Sequence, residues 1–182
     1  MSDHAFPFKT MRDAVELRSH VISQLEKAES SSDPERRKFH LSFVIIGGGF
    51  SGVELAGELN DLIRDSTRFY QNFTENDISM TLVHSGEQIL PEVSSTLRDF
   101  ALKKMQKQGI EFLLNTRAAA ATPEGVGLKD RTLLRAATVV CTIGTAPSPI
   151  IRNLEVKKDH GRLATDSDMR LTGYPNVWAI GD

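Results

Sequence analysis

The chain has 182 residues, 40% of them hydrophobic and 25% charged, with a formal net charge of −2. That length leaves room for one good-sized domain with appendages, and the charge gives no reason to expect nucleic acid or an anionic membrane as a partner. The single cysteine, Cys141, rules out an internal disulfide, a CxxC redox pair and a cysteine zinc cage; no apolar run approaches the roughly 18–20 residues of a membrane span.

No signal peptide opens the chain, so the expected location is the cytoplasm. Residues 1–9 carry Pro7 and no periodicity, and read as a loop or strand fragment. Thr10 and Asp13 have the spacing of a capping box. Ala14, Leu17, Val21, Leu25 and Ala28 then form an apolar stripe, which predicts a helix to about Glu29. That stripe must be covered, if not by this chain then by a domain it lacks. Ser30–Pro34 ends the helix with turn-forming residues, and Glu35–Lys38 reads as a solvated lead-in to a strand. His4, His20 and His40 share no metal-ligand spacing, so they read as surface or packing residues and no metal site is expected.

The chain is organised around Leu41–Gly57, LSFVIIGGGFSGVELAG. The apolar run Phe43–Ile46 predicts a strand buried on both faces, as in the middle of a parallel sheet. Gly47, Gly49 and Gly52 have the G-x-G-x-x-G spacing of a dinucleotide fingerprint. The first glycine allows the tight turn, the second lets a pyrophosphate approach the backbone, and the third lets helix and strand pack closely. A helix follows to about Tyr70, with Gly52, Ala56, Leu59 and Ile63 inward. Its first-turn N–H groups and dipole would face the diphosphate. Glu54 is expected in the first turn of this helix. Two readings stay open for it: an acid favoured by the helix dipole, or a polar group beside the nicotinamide.

Ile78–Val83 alternates as a second strand and ends at His84. Nucleotide folds usually carry an acid there to bond the adenosine ribose. Histidine would bond a ribose hydroxyl when neutral or a 2′-phosphate when protonated, and no arginine adjoins it in the sequence. A helix after Ser94–Ser95, with Leu97, Phe100, Ala101 and Met105 inward, is capped at Gly109; Ile110–Leu114 is a third strand. The βαβαβ order predicts a parallel sheet with helices on its faces. Segments 117–121, 126–129 and 132–134 read as an antiparallel meander, and Thr138–Ile143 as a further buried strand containing Cys141 as a small buried hydrophobe. Gly144 and Pro147 stop that strand where a ligand can press on the backbone. Two strands, Arg162–Thr165 and Val177–Ile180, close the chain. The fold class is α/β: a Rossmann-like NAD(P)-binding domain, a parallel βαβαβ sheet with an inserted antiparallel β-meander.

Four blocks, FKTMRDAVELRSHVISQLEKAE (8–29), FVIIGGGFSGVELAGEL (43–59), TVVCTIGTAP (138–147) and GRLATDSDMRLTGYPNVWAIGD (161–182), occur in the order found in a known family. With them the chain resembles the flavin-dependent pyridine-nucleotide oxidoreductases, and among these most nearly the type II NADH dehydrogenases, which are NADH:quinone reductases. The resemblance implies a lead-in arm at 1–38, an NAD(P)H-binding domain at 39–147, and a return arm at 148–182 toward an FAD domain outside this chain. It implies NADH as cofactor, with NADPH left open by His84, and FAD held only by the longer parent. By the same resemblance Gly47, Gly49, Ser51 and Gly52 would hold the pyrophosphate, with Phe50 completing the cofactor-contacting loop. His84 and Ser85 would meet the adenosine ribose, and Gly144, Thr145 and Pro147 would border the nicotinamide. Asp182 would hold the flavin ribityl chain. Glu54, matching a family glutamate, would be the catalytic candidate, orienting the carboxamide or steering a quinone. The family's Asp-Gly-Arg meander turn lacks its glycine at Asp130-Arg131. The parent is expected to be a peripheral protein on the cytoplasmic face of a membrane, while this stretch has no membrane contact, no turnover alone, and a tendency to self-associate through an uncovered FAD-facing surface. The alternatives are the same domain in a disulfide, ferredoxin or nitrite reductase, and a non-catalytic nucleotide-sensing module.

Overall fold

A computed structural model describes residues 4–143, 149–159 and 161–181. The chain divides into two compact units, Met1–Ile143 and Gly144–Asp182.

The first unit is built on a parallel five-stranded sheet. Its strands are β1 (Phe6–Pro7), β2 (Ser42–Ile46), β3 (Ser79–Val83), β4 (Ile110–Leu113) and β8 (Thr138–Cys141), in the spatial order β1-β8-β2-β3-β4. All five residues of β2 are buried. Its side chains divide by the period-2 rule. Phe43 and Ile45 enter a core with Leu17, Val21 and Leu25 of α1 (Met11–Ser30), Ala56, Leu59 and Ile63 of α3 (Phe50–Ser66), and Met105 of α4 (Ser95–Lys107). Val44 and Ile46 enter a second core with Val126, Leu128 and Val139. That second core lies under the antiparallel meander β5 (Ala118–Thr122), β6 (Gly125–Leu128) and β7 (Leu133–Arg135). One face of the sheet therefore carries helices and the other carries the meander. The expectation of helices on both faces is corrected, because alternating Val126 and Leu128 supply the apolar cover a helix would have given.

The α1 stripe needs no absent domain to bury it: Leu17, Val21, Leu25 and Ala28 are all within the chain's own core. The capping box forms, with the Asp13 amide donating to Thr10 Oγ1 at 3.2 Å and the Thr10 amide donating to Asp13 Oδ2 at 2.7 Å. Glu35–Lys38 is not a bare lead-in but lies in α2 (Pro34–His40). Asp33 caps that helix by accepting from the Glu35 amide at 2.9 Å, and proline at the first helical position fits a helix start. Arg37 then reaches back to the Ser31 carbonyl at 2.6 Å. In α4 the inward face is turned from the expected one: Ala101, Leu102 and Met105 pack on the core, while Leu97 and Phe100 are exposed. Arg98 shares the inward row, donating to the Val93 and Leu90 carbonyls and so tying the helix to the preceding loop. Gly109 follows the helix at φ 85°, the left-handed position suited to glycine. The meander turn keeps its left-handed residue, but Arg131 occupies it at φ 71° and Asp130 Oδ1 accepts from the Thr132 amide.

The second unit contains α5 (Pro149–Asn153) and the antiparallel pair β9 (Lys158–Asp159) and β10 (Arg162–Leu163). The strand expected at Val177–Ile180 is reduced to a single bridge between Arg170 and Trp178. Shortened strands fit a segment with little buried apolar surface, where Trp178 and Ile180 are exposed.

A part-buried polar chain links α2, α1 and the residue before β8. His40 Nδ1 donates to Gln24 Oε1 at 2.7 Å, the Gln24 amide nitrogen lies 3.5 Å from His20 Nδ1, and His20 Nε2 donates to the Ala137 carbonyl at 3.2 Å. Burial lowers the pKa of both histidines, with nearby Lys27 adding to the effect. Unfolded histidine protonates near pH 6.5 and these later, so the unfolded state takes up protons first as pH falls. Their contribution to stability is complete above about pH 6.5 and is lost as pH falls through the lowered folded values. Thermal melts should show Tm falling between pH 7 and 5, with a flatter dependence in His20→Gln.

Candidate functional site

The carboxyl ends of β2, β3, β4 and β8 converge on one end of the sheet. From β2 the chain passes to β3 and β4 on one side and later to β8 on the other, so β2 and β8 flank the topological switch point. Open α/β sheets bind ligands at that place.

The glycine loop sits there, and its glycines do different work. Gly47 has φ +124°, and its amide donates to the Val83 carbonyl at 2.9 Å. A Cβ there would strike Thr142 Oγ1. A Cβ on Gly52 would strike the Gly47 carbonyl oxygen, so this glycine lets α3 sit against the end of β2. Gly49 differs from both: a Cβ on it would meet nothing within 4 Å. Its backbone is extended (φ −78°, ψ −176°), so no local conformational demand accounts for glycine. What glycine provides here is bare backbone facing open space. Gly49 is also the N-cap of α3, and no side chain caps that helix. The Phe50, Ser51 and Gly52 amides thus have no capping acceptor, next to the positive end of the dipole. The loop fits a diphosphate: donors without acceptors, and an approach that any side chain at Gly49 would fill.

A cleft of about 260 Å³ adjoins the loop, lined by Ile46, Gly47, Val83, His84, Ser85, Thr116, Arg117, Ala118 and Ile143. Two hollows of about 310 and 300 Å³ lie elsewhere, one beside β1 and His20, the other at the amino ends of β2 and β3. Position, not size, distinguishes the cleft. His84 is wedged between glycines; a Cβ on Gly48 would be 2.6 Å from its Cγ, and one on Gly86 would be 2.8 Å from its Nε2. Its Nδ1 accepts from the Gly48 amide at 3.1 Å. That acceptor role assigns the ring hydrogen to Nε2 and makes the ring a neutral donor.

Among the residues expected from sequence, Gly47, His84 and Ser85 line the cleft, and Gly49, Phe50, Ser51 and Gly52 form the adjoining loop and first helical turn. Glu54 lies one turn into α3 and is exposed. The first turn of α3 contains no acid, so the placement of Glu54 there is corrected: the helix begins at Phe50, which puts Glu54 past the reach of the terminal amides. Gly144, Thr145, Pro147 and Asp182 lie outside the described residues. Cys141 is half-buried, with Sγ 3.8 Å from the Ile143 carbonyl.

Two residues of this end were not found from sequence. Thr142 fills the space under Gly47 and Gly52, its hydroxyl donating to the Ile46 carbonyl at 3.0 Å. Arg117 stands in the cleft with His84, although 33 positions separate them, because β4 pairs with β3 in parallel and both chain ends emerge side by side. The signal was available: residues after neighbouring parallel strands meet at one end of a sheet.

Among the described residues, no helix is long and apolar enough to cross a membrane, and no group of three or more His, Cys, Asp and Glu is placed to hold a metal.

Known proteins are similar to this chain in sequence and in fold. The chain is 31% identical over 195 residues to the type II NADH:quinone oxidoreductase Ndh of Mycobacterium tuberculosis, covering all of this chain and 42% of that protein. It is 31% identical over 196 residues to the external alternative NAD(P)H-ubiquinone oxidoreductase B4, mitochondrial, of Arabidopsis thaliana, again in full and over 33% of that protein. The fold matches that of NDH2 from Plasmodium falciparum, solved in complex with NADH, at a TM-score of 0.87 and 24% identity, over 99% of this chain and 39% of that one. The chain thus spans between a third and about two fifths of the length of these relatives. The profile of the pyridine nucleotide-disulphide oxidoreductases matches residues 5–182, and the chain belongs to that family.

Proposed function

We propose that this chain is the nicotinamide-nucleotide-binding part of an FAD-dependent NADH dehydrogenase that passes electrons to a quinone. The observation that carries the reading is Gly49: an unstrained glycine at an uncapped helix N-terminus, facing open space at the switch point of a parallel sheet. The names of the relatives, NADH:quinone and NAD(P)H-ubiquinone oxidoreductases, support the reaction class.

The chemistry when the cofactors are bound is hydride transfer from nicotinamide to flavin and delivery of electrons to quinone. What this chain supplies is binding and orientation. The Phe50, Ser51 and Gly52 amides and the α3 dipole balance the diphosphate charge, and bare Gly49 admits it to the backbone. His84 and Ser85 take the adenosine ribose. Gly144, Thr145 and Pro147 border the nicotinamide, and Asp182 belongs to the flavin side. Glu54 orients the carboxamide or steers the quinone. On this reading residues 1–38 lead in, 39–147 bind the nucleotide, and 148–182 return toward the FAD domain. The parent works in the cytoplasm, at the face of a membrane.

Calorimetry on this chain tests the proposal. The expected result is weak NADH binding by a colourless protein without turnover. No heat from NADH or NADPH at millimolar ligand would contradict it.

A further inference from the structure

We infer that the adenosine end of this site is built to accept a 2′-phosphate, so that NADPH is a preferred ligand; the inference rests on the nucleotide-binding reading above. A site selective for NADH places a carboxylate at the end of the second strand, where it accepts both ribose hydroxyls and repels a 2′-phosphate, whereas a nearby arginine accommodates that phosphate. Here the residue at the end of β3 is His84, and no Asp or Glu lines the cleft. Glu87 lies beyond it on the exposed part of the loop.

The groups that do line the cleft are donors. Because His84 Nδ1 is engaged by the Gly48 amide, the ring offers N–H at Nε2. Ser85 adds a hydroxyl and Arg117 a fixed positive charge, whereas the Thr116 hydroxyl is already donated to the Leu114 carbonyl at 2.9 Å. Among the described residues the guanidinium of Arg117 has no hydrogen-bond or ion-pair partner to neutralise it. Its backbone is held nonetheless, since its carbonyl accepts from the Lys129 amide at 3.0 Å. A fork of donors on an anchored backbone, facing a cleft without carboxylates, suits a phosphate dianion better than a pair of neutral hydroxyls.

The test is calorimetry of this chain with NADPH, NADH and ADP. NADPH should bind about tenfold or more tightly than NADH, in line with a charge-assisted contact. Arg117→Ala should bring NADPH down to the level of NADH and leave ADP binding unchanged, and Arg117→Lys should recover part of the difference. Arg117 is exposed, so the variants should keep the wild-type melting temperature. Equal or tighter binding of NADH, or an equal loss for all three ligands in Arg117→Ala, overturns the inference while the nucleotide site stands. If ADP and both dinucleotides fail to bind, both readings fall together.

Discussion

Gly52→Ala should cost the first unit about 3 kcal/mol and lower its Tm by roughly 6–12 °C. On intrinsic grounds the change ought to help, since alanine in a helix is worth about 0.5–1 kcal/mol over glycine. The structure reverses the sign. A Cβ at Gly52 would occupy the place of the Gly47 carbonyl oxygen and lie 2.7 Å from Thr142 Oγ1. The carbonyl belongs to backbone anchored to Val83, and the hydroxyl is bonded to the Ile46 carbonyl. Neither can swing aside, so α3 must retreat. That helix buries Val53, Leu55, Ala56, Leu59 and Ile63, and fully burying one large aliphatic side chain is worth roughly 1.5–3 kcal/mol. Partial exposure of two outweighs the helix-propensity gain. Thermal or urea unfolding followed by circular dichroism measures the difference.

Gly49→Asp should do the opposite: stability unchanged or slightly raised, nucleotide binding weakened at least a hundredfold. The position accepts a side chain, because its backbone is extended and nothing lies within 4 Å of a Cβ. Aspartate is a strong N-cap, and its charge complements the helix dipole by about 0.3–1 kcal/mol. The same carboxylate would take the amides proposed for the diphosphate and set a like charge against it, a juxtaposition that costs several kcal/mol. A melt and an NADH titration on one preparation give both numbers. Two glycines three residues apart would then be separated experimentally into one kept for packing and one kept for a ligand.

Features encoded locally were legible in the sequence. The continuous apolar run of β2, the Thr10–Asp13 capping box and the α3 stripe Gly52, Ala56, Leu59 and Ile63 each follow from spacing within one segment, and each is in place. The α2 helix was missed because Asp33-Pro34 is equally a turn signal and a helix start, and α2 buries no residue that would show a periodic stripe. The rotation of α4 was missed because Arg98 reads as polar and therefore outward, yet its guanidinium is what ties the helix to the Leu90–Val93 loop. Cover of the second sheet face by the meander depends on which surfaces meet, which no single segment records. The same holds for the site. The fingerprint glycines are contiguous and readable, whereas Arg117 and Thr142 join them only through the pairing of β3 with β4 and of β2 with β8.

The central claim is that the loop after β2 and the first turn of α3 receive a dinucleotide. The most direct test is the NADH titration followed residue by residue by amide NMR. The account predicts saturable shifts at Gly49, Phe50, Ser51 and Gly52, extending to His84 and Arg117 across the cleft. Shifts confined to the hollow beside Phe6 and His20, or none at millimolar NADH, would contradict it.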